Sequence, residues 1–378
     1  MTSYKVKTKN ITEPITFTLS NSPYSLDFRT KTAYIIDNVK EHTFGHIVLL
    51  LNTKDVPLNG RKKIIYDIDK KFFDNASAGD VIQVMPDGTM NILWEKKLNP
   101  HDVTLFITNQ CNANCIMCPQ PPGKDEFSLL ESNLSILRYT KHEPIEKIGI
   151  TGGEPTVKRK DLVTLLQESY RLFPSTQVDL LTNAKRLADF HYAKELALSN
   201  PNITFCISFP SDNMEDFNDI IQADIYSDVM QAIQNLAKLR QNIELRIVIL
   251  RQNYARLENI AEFVYRNFPF VVHITFMGME VVGHAFDNID KIDIPPYEYG
   301  TSLMNAVRFL NQREMNVSVY NIPYCIVNRK VWRFLRNSIS PWKQFYKDEC
   351  NLCTKKSSCP GLFMTTQINN YQLEPILD

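Results

Sequence analysis

Seven of the eight cysteines in this chain fall into two groups, and that distribution constrains it more than any other feature. Cys111, Cys115 and Cys118 share one short stretch. Cys325, Cys350, Cys353 and Cys359 lie toward the other end, and Cys206 stands alone. The first ten residues, Met1 to Asn10, are polar and lack the apolar core of a signal peptide. The expectation is therefore a cytoplasmic protein with free thiols, and grouped free thiols read as metal ligands. Whatever fold the chain adopts must converge on both groups.

Composition allows such a fold. Of 378 residues, 44% are hydrophobic and 22% charged, which excludes a disordered or fibrous chain and suggests two or three domains. Lys plus Arg and Asp plus Glu both number 42, so net charge is zero. A nucleic-acid partner usually calls for a basic excess, and none is expected. The longest wholly aliphatic run, Ile47 to Leu51, is far too short to span a membrane, so no membrane partner is expected.

Hydrophobic periodicity divides the chain in three. Residues 1–98 read as a small β domain, with strands at Ile15–Leu19, Ala33–Asn38, His46–Leu51, Lys63–Ile68 and Val81–Met85. Pro86-Asp87-Gly88 then turns the chain into Met90–Trp94, which predicts a hairpin. Residues 99–295 alternate strands and helices in six β/α units. The strands fall at Val103–Thr108, Lys147–Thr151, Gln177–Leu181, Ile203–Ser208, Ile243–Leu250 and Val271–Met277. The helices fall at Ser128–Thr140, Lys160–Phe173, Phe190–Leu198, Ser227–Leu239 and Ala255–Asn267. That alternation predicts an α/β fold, a partial (β/α)6 barrel of parallel strands with function at their C-terminal ends. Residues 296–378 are less regular: a helix at Tyr297–Asn311, a strand at Asn316–Tyr320, then an extension holding the second cysteine group.

The first group follows the first barrel strand with the spacing Cys-x3-Cys-x2-Cys. Structural zinc sites usually take four protein ligands. Three thiolates suit a four-iron four-sulfur cluster with one iron left open to bind something else. The second barrel strand ends in Thr151-Gly152-Gly153-Glu154-Pro155. The two glycines permit close backbone approach to a ligand, Glu154 adds a carboxylate and Pro155 stiffens the exit.

The three cysteines and the Gly-Gly-Glu-Pro segment resemble the signature of the radical S-adenosylmethionine (SAM) superfamily. The resemblance implies that Cys111, Cys115 and Cys118 hold a 4Fe–4S cluster whose open iron chelates SAM. Reductive cleavage would then yield a 5′-deoxyadenosyl radical that abstracts hydrogen from substrate. Many members carry an aromatic residue before the third cysteine; this chain has Met117, whose thioether also packs against a ring. By the same resemblance Gly152, Gly153, Glu154 and Pro155 meet the amino end of SAM. Asn183 ends the third barrel strand, and Ser208, at the end of the fourth, matches a polar contact to the SAM ribose. Arg246 or Arg251, within and just past the fifth strand, would pair with the SAM carboxylate.

The C-terminal run Cys350-x2-Cys353-x5-Cys359, with Cys325 upstream, resembles the SPASM and twitch extensions of peptide-modifying radical SAM enzymes. A full SPASM extension continues to another cysteine, where this chain has Phe363. The four thiols suffice for one auxiliary 4Fe–4S cluster, as in the shorter twitch pattern; structural zinc is the alternative. Other segments are similar to the C component of the His-Xaa-Ser maturation system. They are Cys118 to Pro122, Ile148 to Thr156, Phe276 to Glu280, Met315 to Asn321 and Trp342 to Phe363. That likeness implies a precursor peptide or small protein as substrate, a companion radical SAM maturase, and an electron donor such as flavodoxin or ferredoxin. Two rival readings are a radical SAM enzyme acting on a small molecule such as a cofactor precursor, and a zinc-binding scaffold without catalysis.

Overall fold

The computed structural model describes residues 3–20, 32–36, 48–51, 63–340, 343–368 and 373–377. The chain divides into two compact units. One comprises Met1–Ile107, Glu126–Ile150 and Lys160–Val178, and the other Thr108–Asp125, Thr151–Arg159 and Asp179–Asp378. Parts of the expected strands Ala33–Asn38 and His46–Leu51, and Trp342, lie outside the described residues.

The N-terminal sheet contains β1 (Ser3–Lys5), β2 (Lys7–Lys9), β3 (Ile15–Ser20), β4 (Thr32–Ile36), β5 (Val48–Leu51), β6 (Ile64–Tyr66), β7 (Val81–Val84) and β8 (Thr89–Trp94). Their order is β1-β8-β7-β3-β4-β5-β6-β2. Thus β1 and β2, separated only by Val6, are the two edge strands of one sheet, and at three residues each they offer little backbone for edge pairing. The expected hairpin is present, with β7 and β8 antiparallel. Its turn requires glycine: Gly88 has φ +79°, and a Cβ there would stand 2.2 Å from the Val6 carbonyl oxygen.

One element departs from an all-β reading. Residues Lys70–Asn75 form a helix, α1, capped by the Asp69 carboxylate accepting from Lys71 N at 2.8 Å. The helix delivers Phe72, fully buried, into a core with Phe17, Ile65, Ile82 and Met90. The next helix, α2 (Leu130–Thr140), is tied to this sheet by buried polar groups. Gln83 Nε2 donates to Ser132 Oγ at 2.6 Å, Thr16 Oγ1 donates to the same oxygen at 3.2 Å, and Tyr139 OH donates to Thr16 O at 3.2 Å.

The second sheet is the expected partial barrel. It contains β9 (Asp102–Phe106), β10 (Lys147–Thr151), β11 (Gln177–Thr182), β12 (Ile203–Ser208), β13 (Asn242–Val248), β14 (His273–Met277), β15 (Val317–Tyr320) and β16 (Leu335–Arg336). Spatial order follows chain order, and the sheet is a curled half-barrel of parallel strands. The last two strands extend it beyond six. Helices α3 (Arg159–Leu172), α4 (Phe190–Ser199), α5 (Met214–Ile221), α6 (Tyr226–Lys238), α7 (Leu257–Asn267), α8 (His284–Asp287), α9 (Ile289–Ile292) and α10 (Pro296–Asn311) connect these strands. Period-two burial is clear on β13, where Ile243, Leu245 and Ile247 are buried and Glu244, Arg246 and Val248 are half-buried. No helix among the described residues is long and apolar enough to cross a membrane.

Periodicity missed α5, a short helix of eight residues. Its signal is local: Asn213 Oδ1 accepts from Asp216 N at 2.8 Å, and Asn213 Nδ2 donates to Asp216 Oδ2 at 2.6 Å. Phe217 on α5 meets Phe209 at 5.8 Å between ring centroids, and Phe209 also contacts Phe263 and Phe268. Packing of this aromatic cluster fixes α5 against the end of β12.

The link between α2 and the sheet gives a test of non-additivity. Either Ser132→Ala or Gln83→Leu strands a buried polar partner and should cost about 1–3 kcal/mol. The double variant should lose less than the sum. Denaturant unfolding followed by fluorescence of buried Trp94 measures all three.

Candidate active site

The segment after β9 runs from Thr108 to Asp125 and carries the first cysteine group. Its backbone is fastened to the C-terminal turn of α5: Asn114 N donates to Ile221 O at 3.2 Å, and Ile116 N to Ile220 O at 3.0 Å. These carbonyls lie in the last helical turn, where no intrahelical partner is available. Cys118 N closes a turn onto Cys115 O at 3.1 Å, and Met117 is buried. Asp125 ends the segment. It accepts from Thr108 Oγ1 at 2.6 Å and Asn109 N at 2.7 Å, and it pairs with Lys158 Nζ at 2.9 Å. Burial works against its charge, yet the Thr108 hydroxyl, Lys158 and the Asn109 N–H hold the carboxyl below its usual range.

The Gly-Gly-Glu-Pro loop lies directly against this segment. Gly153 N donates to Thr108 O at 2.7 Å, and Glu154 N to Gln110 O at 2.8 Å. A Cβ on Gly153 would stand 2.3 Å from Gln110 O, so only glycine allows the approach. Gly152 precedes this contact, and buried Pro155 opens a short 3-10 turn after it.

Glu154 is 1% exposed, and its carboxylate faces protein. Oε1 accepts from Thr156 N at 3.0 Å, Thr156 Oγ1 at 2.6 Å and Thr182 Oγ1 at 2.7 Å. Oε2 accepts from Asn183 N at 2.6 Å. Burial pushes the carboxyl up, while these donors pull it back toward the charged form. Asn183 Nδ2 in turn donates to Asn112 Oδ1 at 2.7 Å, inside the cysteine segment. One carboxylate therefore joins the ends of β10 and β11.

The segment after β14 completes this end of the barrel. Gly283 has φ +61°, and a Cβ there would stand 2.9 Å from Cys118 O. His284 N donates to Cys118 O at 2.9 Å, His284 Nε2 lies 3.0 Å from Asn114 Oδ1, and Asn288 Nδ2 donates to Ile116 O at 3.2 Å. Sequence reasoning missed Asn112, Asp125, Gly283, His284 and Asn288. Only Gly283 left a sequence signal, a glycine in the connection after β14.

The remaining expected residues lie along β12 and β13. Ser208 and Arg246 are register partners. Arg246 is half-buried, with Nε 3.3 Å from Glu244 Oε1. Arg251 is exposed in the turn beyond β13, its N–H on Ile292 O at 2.9 Å. Cys206 is 2% exposed within β12, as expected of a small hydrophobic side chain.

The three grouped thiols are half-buried. Burial pushes all three up; for Cys115, neighbouring Cys118 and Cys111 add to it and the thiol reaches about 12. Mutual repulsion of thiolates is relieved by a cationic group among them, so the donor chemistry fits an iron–sulfur cluster. In the C-terminal extension Cys325, Cys350, Cys353 and Cys359 all line one small cavity of about 20 Å3. Burial, with nearby Cys359 and Cys350, raises Cys325 to about 11. Gly361 N donates to Cys359 Sγ at 3.4 Å, and Tyr346 OH to Cys359 O at 2.7 Å. Among the described residues no three His, Cys, Asp or Glu side chains are grouped closely enough to hold a single metal ion.

Residues 105–264 match the family model of the radical SAM superfamily. The matched stretch contains the first cysteine group and the Gly-Gly-Glu-Pro loop; the second cysteine group lies beyond it. Curated relatives include GTP 3′,8-cyclase of Desulforamulus reducens, 27% identical over 194 residues, covering 50% of this chain and 58% of that protein. GTP 3′,8-cyclase of Nautilia profundicola is 27% identical over 209 residues, covering 53% and 62% respectively. The chain thus spans little more than half the length of these relatives. Among solved structures, Streptococcus suis SuiB bound to S-adenosylmethionine superposes with a TM-score of 0.50 at 20% identity, covering 59% of this chain and 52% of that one. SuiB bound to its precursor peptide SuiA gives 0.50 at 19%, covering 59% and 50%. At such identity the likeness shows the fold alone.

Two measurements test this geometry. Glu154→Gln turns an amide N–H2 toward groups that themselves donate. It should destabilise the metal-free protein by about 1–3 kcal/mol, read as a lowered thermal midpoint, while Thr182→Val, which removes one donor, should cost less. The raised thiol at Cys115 leaves less thiolate at a given pH. Its alkylation in metal-free protein near pH 8 should run about 100-fold slower than in unfolded protein and quicken as pH rises, as mass spectrometry of the labelled peptide would show.

Proposed function

We propose that this chain is a radical SAM enzyme that reductively cleaves SAM and modifies a ribosomally made peptide or small protein. The observation that carries the reading is the meeting of Cys111, Cys115 and Cys118 with the Gly-Gly-Glu-Pro loop at one end of the barrel strands. In this reading the three thiolates hold a 4Fe–4S cluster, which supplies the electron for breaking the carbon–sulfur bond of bound SAM. The chain's own residues bind and orient. The backbone of Gly152 and Gly153 receives the amino end of SAM, since the carboxylate of Glu154 is already saturated by four donors. Asn183, held against Asn112, lines the same end. Ser208 and Arg246, side by side on β12 and β13, take the ribose and the carboxylate; exposed Arg251 is the alternative cation.

The peptide substrate draws support from the C-terminal extension. Four cysteines lining one cavity suit an auxiliary 4Fe–4S cluster, and one structural neighbour, SuiB, is bound to a precursor peptide. A His-Xaa-Ser repeat protein, a companion maturase and a flavodoxin or ferredoxin donor belong to this proposal. In this proposal the domains run 1–98, 99–295 and 296–378. A second reading, a small-molecule substrate such as a cofactor precursor, is favoured by the relatives named GTP 3′,8-cyclase.

Anaerobic iron and sulfide analysis tests the cluster assignments. Wild type should bind about eight irons and a variant lacking the three barrel cysteines about four. Zinc in place of iron throughout would end the enzyme reading; one retained zinc with about four irons would make the C-terminal site structural. Cys115→Ala should abolish SAM cleavage, while Cys353→Ala should keep the first cluster and lose product. Supplying a His-Xaa-Ser repeat peptide or GTP to the reduced enzyme separates the substrates: a mass change in the peptide supports the first reading, and consumption of GTP the second.

A further inference from the structure

A groove in the C-terminal part of the chain has no part in the site described above. It lies between the end of α10 and the 3-10 turn Arg329–Phe334. Arg308, Arg329, Lys330 and Arg333 line it, all exposed, with Trp332 and Phe334 as its apolar wall. Asn311 and Gln312 supply amide groups, and among the described residues no carboxylate lines the groove. Its volume is about 930 Å3, including space open to solvent. In a chain of zero net charge, Arg308, Lys330 and Arg333 sharing one concavity are a local excess of positive charge. Their fields add, because the groove is comparable in size to the screening length of about 8–10 Å.

The wall is held in place. Trp332 Nε1 donates to Tyr324 O at 3.0 Å, and the Tyr324 ring meets the Trp332 ring edge-on at 5.3 Å. The Arg329 guanidinium stands 5.3 Å from the Trp332 ring and that of Arg333 stands 4.7 Å from the Phe334 ring. Stacked guanidinium planes lose little freedom when a carboxylate arrives. Among the described residues no carboxylate forms an ion pair with Arg308, Lys330 or Arg333.

We infer that this groove binds an acidic peptide segment in extended conformation. Arginine forks grip carboxylates in paired hydrogen bonds, and an extended strand repeats its side chains on one face about every 6.7 Å, so several carboxylates can be met in turn. Half-buried Trp332 covers the intervening apolar side chains. Single-stranded nucleic acid fits less well, since it tracks a long basic channel with exposed stacking rings, whereas this groove is short and Phe334 is buried. The inference stands apart from the proposed function and rests on no bound cluster.

Fluorescence anisotropy with a labelled glutamate-rich peptide tests it on the full chain. The peptide should bind at low salt, weaken steeply with added salt, and outcompete a lysine-rich peptide and an oligothymidine of equal charge. Arg308→Glu with Arg333→Glu should weaken binding by about tenfold or more. Lys97→Glu with Lys141→Glu makes the same change in net charge at exposed sites on the other unit, and should leave affinity unchanged. Thermal melting confirms that both variants fold. Equal loss in both variants would reduce the effect to net charge and overturn the inference. Tighter binding of the oligonucleotide, or no binding of the acidic peptide by wild type, would overturn it as well.

Discussion

The buried carboxylate of Glu154 is the interaction on which the candidate active site depends. A charge taken out of water is tolerated only where several donors converge on it. Here the donors come from two places, Thr156 in its own loop and Thr182 with Asn183 at the end of β11. The backbone of the same residue reaches the carbonyl of Gln110 in the cysteine segment. The free energy of satisfying one ion is thereby converted into registry among three connections. Thr156 is itself secured, since its carbonyl accepts from buried Tyr192 OH at 3.0 Å.

Close approach of backbones is the second requirement, and glycine meets it twice. Gly153 lets the loop after β10 touch the cysteine segment from one side, and Gly283 lets the segment after β14 touch it from another. Between them the C-terminal turn of α5 accepts two of the segment's N–H groups. A loop carrying three thiols has little apolar surface with which to hold its own shape. It is ordered instead by backbone hydrogen bonds to elements far apart in the chain, which a cluster site needs if its thiols are to be positioned before the inorganic group arrives.

The two cysteine groups share a physical logic. In each group burial and neighbouring thiols raise the pKa of one member most clearly, Cys115 in the first and Cys325 in the second, so the metal-free protein holds these two protonated. An incoming cationic group then displaces protons rather than competing with water for bare thiolates. The groups differ in their surroundings. The first is embedded in barrel loops, while the second lines a cavity walled by Tyr324, Phe345 and Tyr346.

Much of this was legible in the sequence, because it depends on local periodicity and on residue types with few alternative uses. Alternating strands and helices dictate a parallel sheet, and thiol spacing after the first strand marks the cysteine segment. The Pro86–Gly88 hairpin and the Gly-Gly-Glu-Pro loop follow from backbone rules of the same local kind. The short helices α1 and α5 escaped, since a turn or two of helix carries too few residues for a period to show. Tertiary structure alone decided that Glu154 turns inward to Thr182 and Asn183, that β15 and β16 extend the barrel, and that Gly283 and α5 flank the cysteines. It alone gathered Arg308 with Arg329 and Arg333 into one groove. Such outcomes are set by which distant groups can share a buried charge or fill a gap, and no periodicity along the chain encodes a partner that far away.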